Sequence, residues 1–253
     1  MTDFLDTPTG RRLAYNRFEG EGVGVVFLGG FMSDMAGTKA VALEQWARTQ
    51  GRPFLRFDYS GHGESDGAFE EGCIGDWAED ARAAIEALTL GPQILVGSSM
   101  GGWIALLLAK RIPEQIAGLV GIAAAPDFTQ DGFWAGFDTQ QRAALEHDGV
   151  VYLPSGYESD YPITKRLIED GRRHLVLREP LRVPFPVRLL QGTHDKSVTR
   201  DTALRLLDHI DADDVRLSLV KGADHSFSSI ECLKMVEAAI FDVLGHMDDD
   251  LFV

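Results

Sequence analysis

The sequence predicts an α/β fold, a mostly parallel central sheet flanked by helices, spanning residues 1–253 as a single domain with a small inserted segment at 126–186. Three observations predict it. Short runs rich in β-branched and aromatic residues alternate with stretches whose apolar residues recur every three or four positions. A parallel strand pair needs a helix-length crossover, so this alternation sets the strands side by side in one covered sheet. The rhythm lapses once, over 126–186, and a long interruption of that kind implies an insertion with structure of its own.

Strands are expected over 12–18, 23–28, 54–58, 94–96, 116–123, 187–191 and 215–220. Each run ends in turn-forming residues: Gly20 after the first, Gly29-Gly30 after the second, Ser60-Gly61 after the third, Gly97 after the fourth. Pro126, Gly192 and Gly222 do the same for the last three. Helices are expected over 39–49, 76–88, 99–111, 199–209 and 229–245. The last carries Ile230, Leu233, Val236, Ala239, Ile240 and Val243 down one face. The interruption is rich in aromatic residues, namely Phe128, Phe133, Trp134, Phe137, Tyr152, Tyr157 and Tyr161. Insertions of this sort often cover a binding site, and a cap is the reading given to 126–186.

Twenty-four Lys and Arg against 39 Asp and Glu leave a net charge of −15. Such a field repels phosphate backbones and excludes nucleic acid as a partner. The acidic residues are scattered apart from Asp248-Asp249-Asp250, so the charge reads as a solubility property. Two cysteines, Cys73 and Cys232, lie far apart and form no CxxC or Cys/His cluster. A reducing compartment fits that usage. No apolar run is long enough to span a bilayer, and the acidic N-terminus has no export signal, so a cytoplasmic location is expected.

The strongest chemical signal is Gly97-Ser98-Ser99-Met100-Gly101-Gly102, set between an apolar strand and a helix. It matches GxSxG with Ser99 at the centre. A strand that turns sharply into a helix strains its turn residue, and flanking glycines let the neighbouring chain approach without Cβ clashes. Ser99 is the expected nucleophile; Ser98 is not centred between the glycines. A serine hydroxyl needs a base, usually a histidine oriented by a carboxylate, and here they follow in the order Ser, Asp, His.

Of seven histidines, His225 is the best base, because it lies in the loop after the strand 215–220. His174, His209 and His246 lie in or near helices and are expected to be solvated. His147 falls in the cap, His62 is expected to stabilise a turn, and His194 points away if its neighbour Asp195 points in. For the acid, Asp195, after the strand 187–191, is favoured over Asp127, after the strand 116–123. Loops at the carboxyl ends of parallel strands converge, which brings these positions toward Ser99. The backbone N–H of Met100 is the first oxyanion donor expected, and that of Phe31, after Gly29-Gly30, is the second. No dinucleotide fingerprint, P-loop or paired metal-ligand spacing occurs, so no cofactor and no metal are expected.

These residues also carry a resemblance. The chain resembles the α/β-hydrolase superfamily and, within it, the mitochondrial α/β-hydrolase-domain enzymes that act as palmitoyl-protein thioesterases and acyl-glucuronide esterases. The likeness rests on Gly37-Thr38-Lys39-Ala40, on Arg56-Phe57-Asp58-Tyr59-Ser60-Gly61 and above all on the run from Gly91 to Trp103. It continues through Arg188-Leu189-Leu190-Gln191-Gly192 to Asp195 and closes on Asp224-His225. The cap agrees least. The resemblance implies Ser99 as nucleophile, Asp195 as orienting acid and His225 as base.

The expectation is a serine hydrolase of carboxylic esters or thioesters whose substrate is a small molecule or an acylated protein. A C–C bond hydrolase or a cofactor-free peroxidase on the same residues is the alternative among enzymes. A non-catalytic binding module is the alternative outside them.

Overall fold

The computed structural model describes residues 2–154 and 160–249. Tyr157 and Asp250 lie outside the described residues, as do the side chains of His246, Asp248 and Asp249. In chain order the strands are β1 Asp3–Asp6, β2 Arg12–Phe18, β3 Val25–Leu28, β4 Phe54–Phe57, β5 Gln93–Ser98 and β6 Ile116–Ile122. They continue with β7 Val150–Leu153, β8 Tyr161–Thr164, β9 Leu181–Arg182, β10 Val187–Gly192, β11 Ile210–Asp211 and β12 Val215–Val220. The helices are α1 Thr38–Gln50, α2 Ile74–Leu88, α3 Met100–Arg111, α4 Thr139–Asp148, α5 Lys165–Arg172, α6 Arg200–His209 and α7 Ile230–Asp249.

Eight strands form one sheet in the order β1-β2-β4-β3-β5-β6-β10-β12. β1 and β2 pair antiparallel, β2 meets β4 antiparallel, and every pair from β4 to β12 is parallel. Strand residues alternate between two cores, as a two-residue period demands. Val25 and Phe27 pack with Ala40, Leu43 and Trp46 of α1 and with Val236, Ile240 and Val243 of α7. Val26 and Leu28 pack on the other face with Trp77 of α2 and Trp103 of α3. α3 buries every residue from Met100 to Ala109, so a helix apolar all round lies under the sheet's centre.

Several boundaries differ from those the sequence predicts. The helix expected from Ser99 begins at Met100, because Ser99 sits outside helical geometry at φ 53°, ψ −116°. Asp3–Asp6 forms an edge strand that its two terminal aspartates and short length conceal. The 126–186 segment holds its own elements: an antiparallel β7–β8 pair, helices α4 and α5, and a π-helical stretch at Phe128–Trp134. Its β9 pairs outside the segment with β11. Leu145, Val151, Ile163 and Leu167 join the core that contains α3, which seats the segment on the sheet.

Candidate active site

The turn from β5 into α3 is built by close backbone approach. Ser99 holds a positive φ of 53°, a strained value for a residue with a Cβ. A Cβ on Gly97 would come within 2.4 Å of Gly101 O, and one on Gly101 within 2.0 Å of Leu28 O. Only glycine fits at either place. The Ser99 N–H donates to Ile122 O (2.9 Å), while Ser99 O accepts from Gly102 N–H (2.9 Å) and Ala125 N–H (3.0 Å). Three elements therefore hold one strained residue. Ser98 beside it is buried at 5% exposure, whereas Ser99 is half-buried.

The parallel register levels the carboxyl ends of the neighbouring strands: Ser98 lies opposite Ile122, Leu190 opposite Ile122, and Gly192 opposite Val220. The loops beyond β10 and β12 then pack backbone to backbone. His194 N–H donates to Ala223 O (2.9 Å), and a Cβ on Gly192 would meet that same oxygen at 2.3 Å. Beyond them His225 stands between Asp195 and Ser99, its Nδ1 2.8 Å from Asp195 Oδ2 and its Nε2 3.2 Å from Ser99 Oγ. A carboxylate can only accept, so Nδ1 carries the proton and Nε2 is left to accept from the serine.

The Asp195 side chain is fully buried. Burial pushes its carboxyl upward, but hydrogen bonds from His225 and from the Val198 and Ser197 N–H groups outweigh it and hold the carboxyl below its ordinary value. Sequence reasoning missed Gln191 here. Its Nε2 donates to Asp195 Oδ2 (3.0 Å) and Val198 O (3.0 Å), bracing that carboxylate from behind. A lone glutamine closing an apolar strand was the available signal. Lys39 was also missed: its ammonium donates to Ser226 O, next to His225.

The loop after β3 lies against Ser99, since a Cβ on Gly30 would approach Ser99 Cβ to 3.5 Å. Asp58 steadies that loop from β4 by accepting the Met35 N–H (2.6 Å). Phe31 follows Gly30, and Met100 opens the first turn of α3, where N–H groups have no acceptor within the helix. The Phe31 ring is the hub of an edge-to-face aromatic set: Phe69 (4.9 Å), Phe128 (5.6 Å), Tyr161 (5.6 Å), Phe133 (5.9 Å) and Trp77 (6.0 Å). Phe128, Phe133 and Tyr161 come from the 126–186 segment.

The other candidates lie apart from this chain of hydrogen bonds. Asp127 is fully buried, and its two carboxylate oxygens accept the Val176 N–H (2.7 Å) and Leu177 N–H (3.0 Å). His194 is exposed and His147 pairs with its neighbour Asp148 (2.6 Å). His62 is buried at 4% exposure among Tyr59, Phe69 and Trp77, and burial pushes its imidazole down to about 4, which keeps it neutral. His174 and His209 depart from the solvated setting expected of them. His174 is half-buried beside Asp170 (3.5 Å) and Arg111 (3.3 Å), and His209 Nε2 is buried without a hydrogen-bond partner among the described residues. Among the described residues no cluster of three or more His, Cys, Asp or Glu is arranged to hold a metal, and no helix is long and apolar enough to cross a membrane.

Comparison with known proteins agrees with this architecture. A family model described as the alpha/beta hydrolase fold matches residues 25–152. The mitochondrial palmitoyl-protein thioesterase ABHD10 of Bos taurus is 38% identical over 98% of this chain and 79% of its own length, and that of Homo sapiens is 37% identical with the same coverage. Among solved structures, mouse alpha/beta hydrolase domain-containing protein 10 superposes with a TM-score of 0.90 at 35% identity, covering 98% of this chain and 99% of its own. A protein from Agrobacterium vitis S4 superposes with a TM-score of 0.92 at 37% identity, covering 96% and 98%. With about 37% identity to the ABHD10 enzymes over nearly its whole length and a shared fold, the chain belongs to the α/β-hydrolase family.

Proposed function

We propose that the chain is a serine hydrolase of carboxylic esters or thioesters that works through an acyl-enzyme on Ser99. The observation that carries this reading is the unbroken sequence of hydrogen bonds from Ser99 Oγ through His225 to Asp195. His225 Nε2 removes the hydroxyl proton as Ser99 Oγ bonds to the acyl carbon, and the carbonyl electrons move onto oxygen. The Phe31 and Met100 amides receive that oxyanion, each such donor contributing about 10²–10³ in rate. Collapse expels the alcohol or thiol, which takes the proton from His225. Water, deprotonated by the same nitrogen, then releases the acid and frees Ser99. Asp195 stays ionised throughout, fixing the tautomer and offsetting the imidazolium charge.

The substrate is a small acyl ester or an acylated protein. The 126–186 segment acts as the cap over the acyl group, and its aromatic rings favour an apolar acyl or aryl portion. The name borne by the relatives, palmitoyl-protein thioesterase, supports a thioester. The net charge of −15 supports a partner other than nucleic acid.

Intact-mass measurement after exposure to a fluorophosphonate, with peptide mapping of the adduct, tests the reading. An adduct on Ser99 together with turnover of p-nitrophenyl esters is expected. A folded protein that gains no adduct and turns over no ester overturns the hydrolase reading in favour of a binding module.

A further inference from the structure

We propose that Asp127 is a positioning residue: it fastens the two ends of the inserted segment together beside Ser99 and so sets which acyl groups the site accepts. The proposal rests on the acyl-enzyme reading above. The chain leaving β6 is laced to the nucleophile's own peptide groups, because Ser99 N–H donates to Ile122 O (2.9 Å) and Ala125 N–H donates to Ser99 O (3.0 Å). Two residues further on, Asp127 turns the chain with a φ of 58°. The returning chain arrives there 49 positions later, where Val176 and Leu177 donate one N–H to each carboxylate oxygen.

A second ring of charge surrounds this clasp. The Arg178 guanidinium lies 3.3 Å from Asp127 and 2.5 Å from Asp131, and Arg205 of α6 reaches Asp131 at 3.0 Å. Entry and exit thus meet at one fully buried carboxylate, and α6 joins them from outside, through Arg205 to Asp131 and to Leu177 O (3.0 Å each). Burying a charge is costly unless it is fully hydrogen-bonded, and here both oxygens are occupied by peptide N–H groups.

The residue after Asp127 carries the clasp's position to the site. Phe128 packs edge-on against Trp103 of α3 (5.5 Å) and against Phe31 (5.6 Å), whose amide is the proposed oxyanion donor. Phe133 joins it from the same π-helical stretch (5.2 Å). Loosening the clasp moves these rings while leaving Ser99, His225 and Asp195 in place. Asp127 therefore acts on acyl selection through Phe128, touching neither substrate nor base.

The test uses the full chain and p-nitrophenyl acetate, butyrate, octanoate and laurate, with amide hydrogen exchange followed across 128–134. Asn in place of Asp127 sets an NH₂ against a peptide N–H, so Asp127→Asn opens half the clasp. Arg178→Met, at a partly exposed residue, weakens it from outside with little risk to folding. For Asp127→Asn the KM of the octanoyl and lauroyl esters should rise about tenfold or more while kcat on acetate falls by no more than about threefold, with faster exchange over 128–134. Arg178→Met should move each readout the same way by a smaller factor.

A loss of kcat shared equally by all four esters makes Asp127 part of the proton machinery and overturns the proposal. Faster exchange with an unchanged chain-length profile in both variants also overturns it, since the clasp is then structural only. If Asp127→Asn does not fold, Arg178→Met decides by the same criteria. A wild-type chain with no Ser99 adduct and no turnover sinks the hydrolase reading instead, and exchange alone then decides whether the clasp holds the segment.

Discussion

Asp195 and Asp127 make an instructive pair, because each follows a sheet strand, each side chain is fully buried, and each accepts two backbone N–H groups. They differ in whose N–H groups these are. Asp195 takes both on Oδ1 from Ser197 and Val198, its own loop, which leaves Oδ2 for His225 and Gln191. Asp127 spends one oxygen on Val176 and the other on Leu177. The electrostatics diverge accordingly. Burial pushes the Asp127 carboxyl up beyond what its hydrogen bonds recover, whereas for Asp195 the bonds from His225 and the loop outweigh burial and hold it down. A local turn can present a carboxylate to a base, but a carboxylate spent on distant backbone can only fasten it.

The largest expected effects separate the two loops. Ser99→Ala should lower kcat on p-nitrophenyl butyrate by about 10⁴ or more, and Asp195→Asn by about 10⁴, with circular dichroism unchanged. The distinction between the loops breaks if Asp127→Asn matches Asp195→Asn on that substrate. Gly101→Ala comes next. Its methyl group would sit 2.0 Å from Leu28 O, forcing α3 off β3 at a cost of about 1–3 kcal/mol in urea unfolding and displacing the Met100 amide.

Gln191→Leu sharpens the comparison by removing the brace behind Asp195 alone. One hydrogen bond to a charged group is worth about 1.5–3 kcal/mol, so a loss of about tenfold or more in kcat is expected with KM nearly unchanged.

The smallest effect belongs to another contact of the 126–186 segment. Asp170 of α5 accepts the Gly75 N–H at the start of α2 (2.7 Å) and pairs with Arg173 (2.7 Å). These bonds and His174 overcome burial and hold its carboxyl well below the usual range. A carboxyl whose pKa falls on folding adds stability that is complete above its unfolded value near 4 and is lost as pH drops through the folded value. Asp170→Asn should therefore cost about 1–2 kcal/mol at pH 7, and its difference from wild type should shrink below about pH 4 in urea titrations. In the neighbouring cavity of about 640 Å³, Glu79 pairs with Arg111, Asp76 with Arg166 and Asp170 with Arg173.

What could be read without coordinates follows from how local each feature is. β5 and the turn into α3 were legible because a continuous apolar run ends in Gly97-Ser98-Ser99-Met100-Gly101-Gly102, although only Gly97 answers a contact within that turn, Gly101 and Gly102 answering the ends of β3 and β6. α7 was legible from its apolar stripe. The placement of His225 and Asp195 followed from chain order and from parallel strands that end level. The 126–186 segment was legible only as an absence of rhythm. α5 buries Leu167 and Ile168 among charged neighbours, and β9 and β11 are two residues each, gaining their order from one another across a long stretch of chain. Asp127's partners are peptide N–H groups 49 and 50 positions away, which no side-chain pattern records.

The strained turn at Ser99 also bears on how activity is lost on heating. Its N–H is held by β6, and its carbonyl is held by α3 and by the chain leaving β6. The φ of 53° can relax only when the sheet's centre opens. Thermal inactivation should then share its midpoint with global unfolding, with no earlier melting of the turn at Ser99, so residual activity reports directly on the fraction of chains still folded.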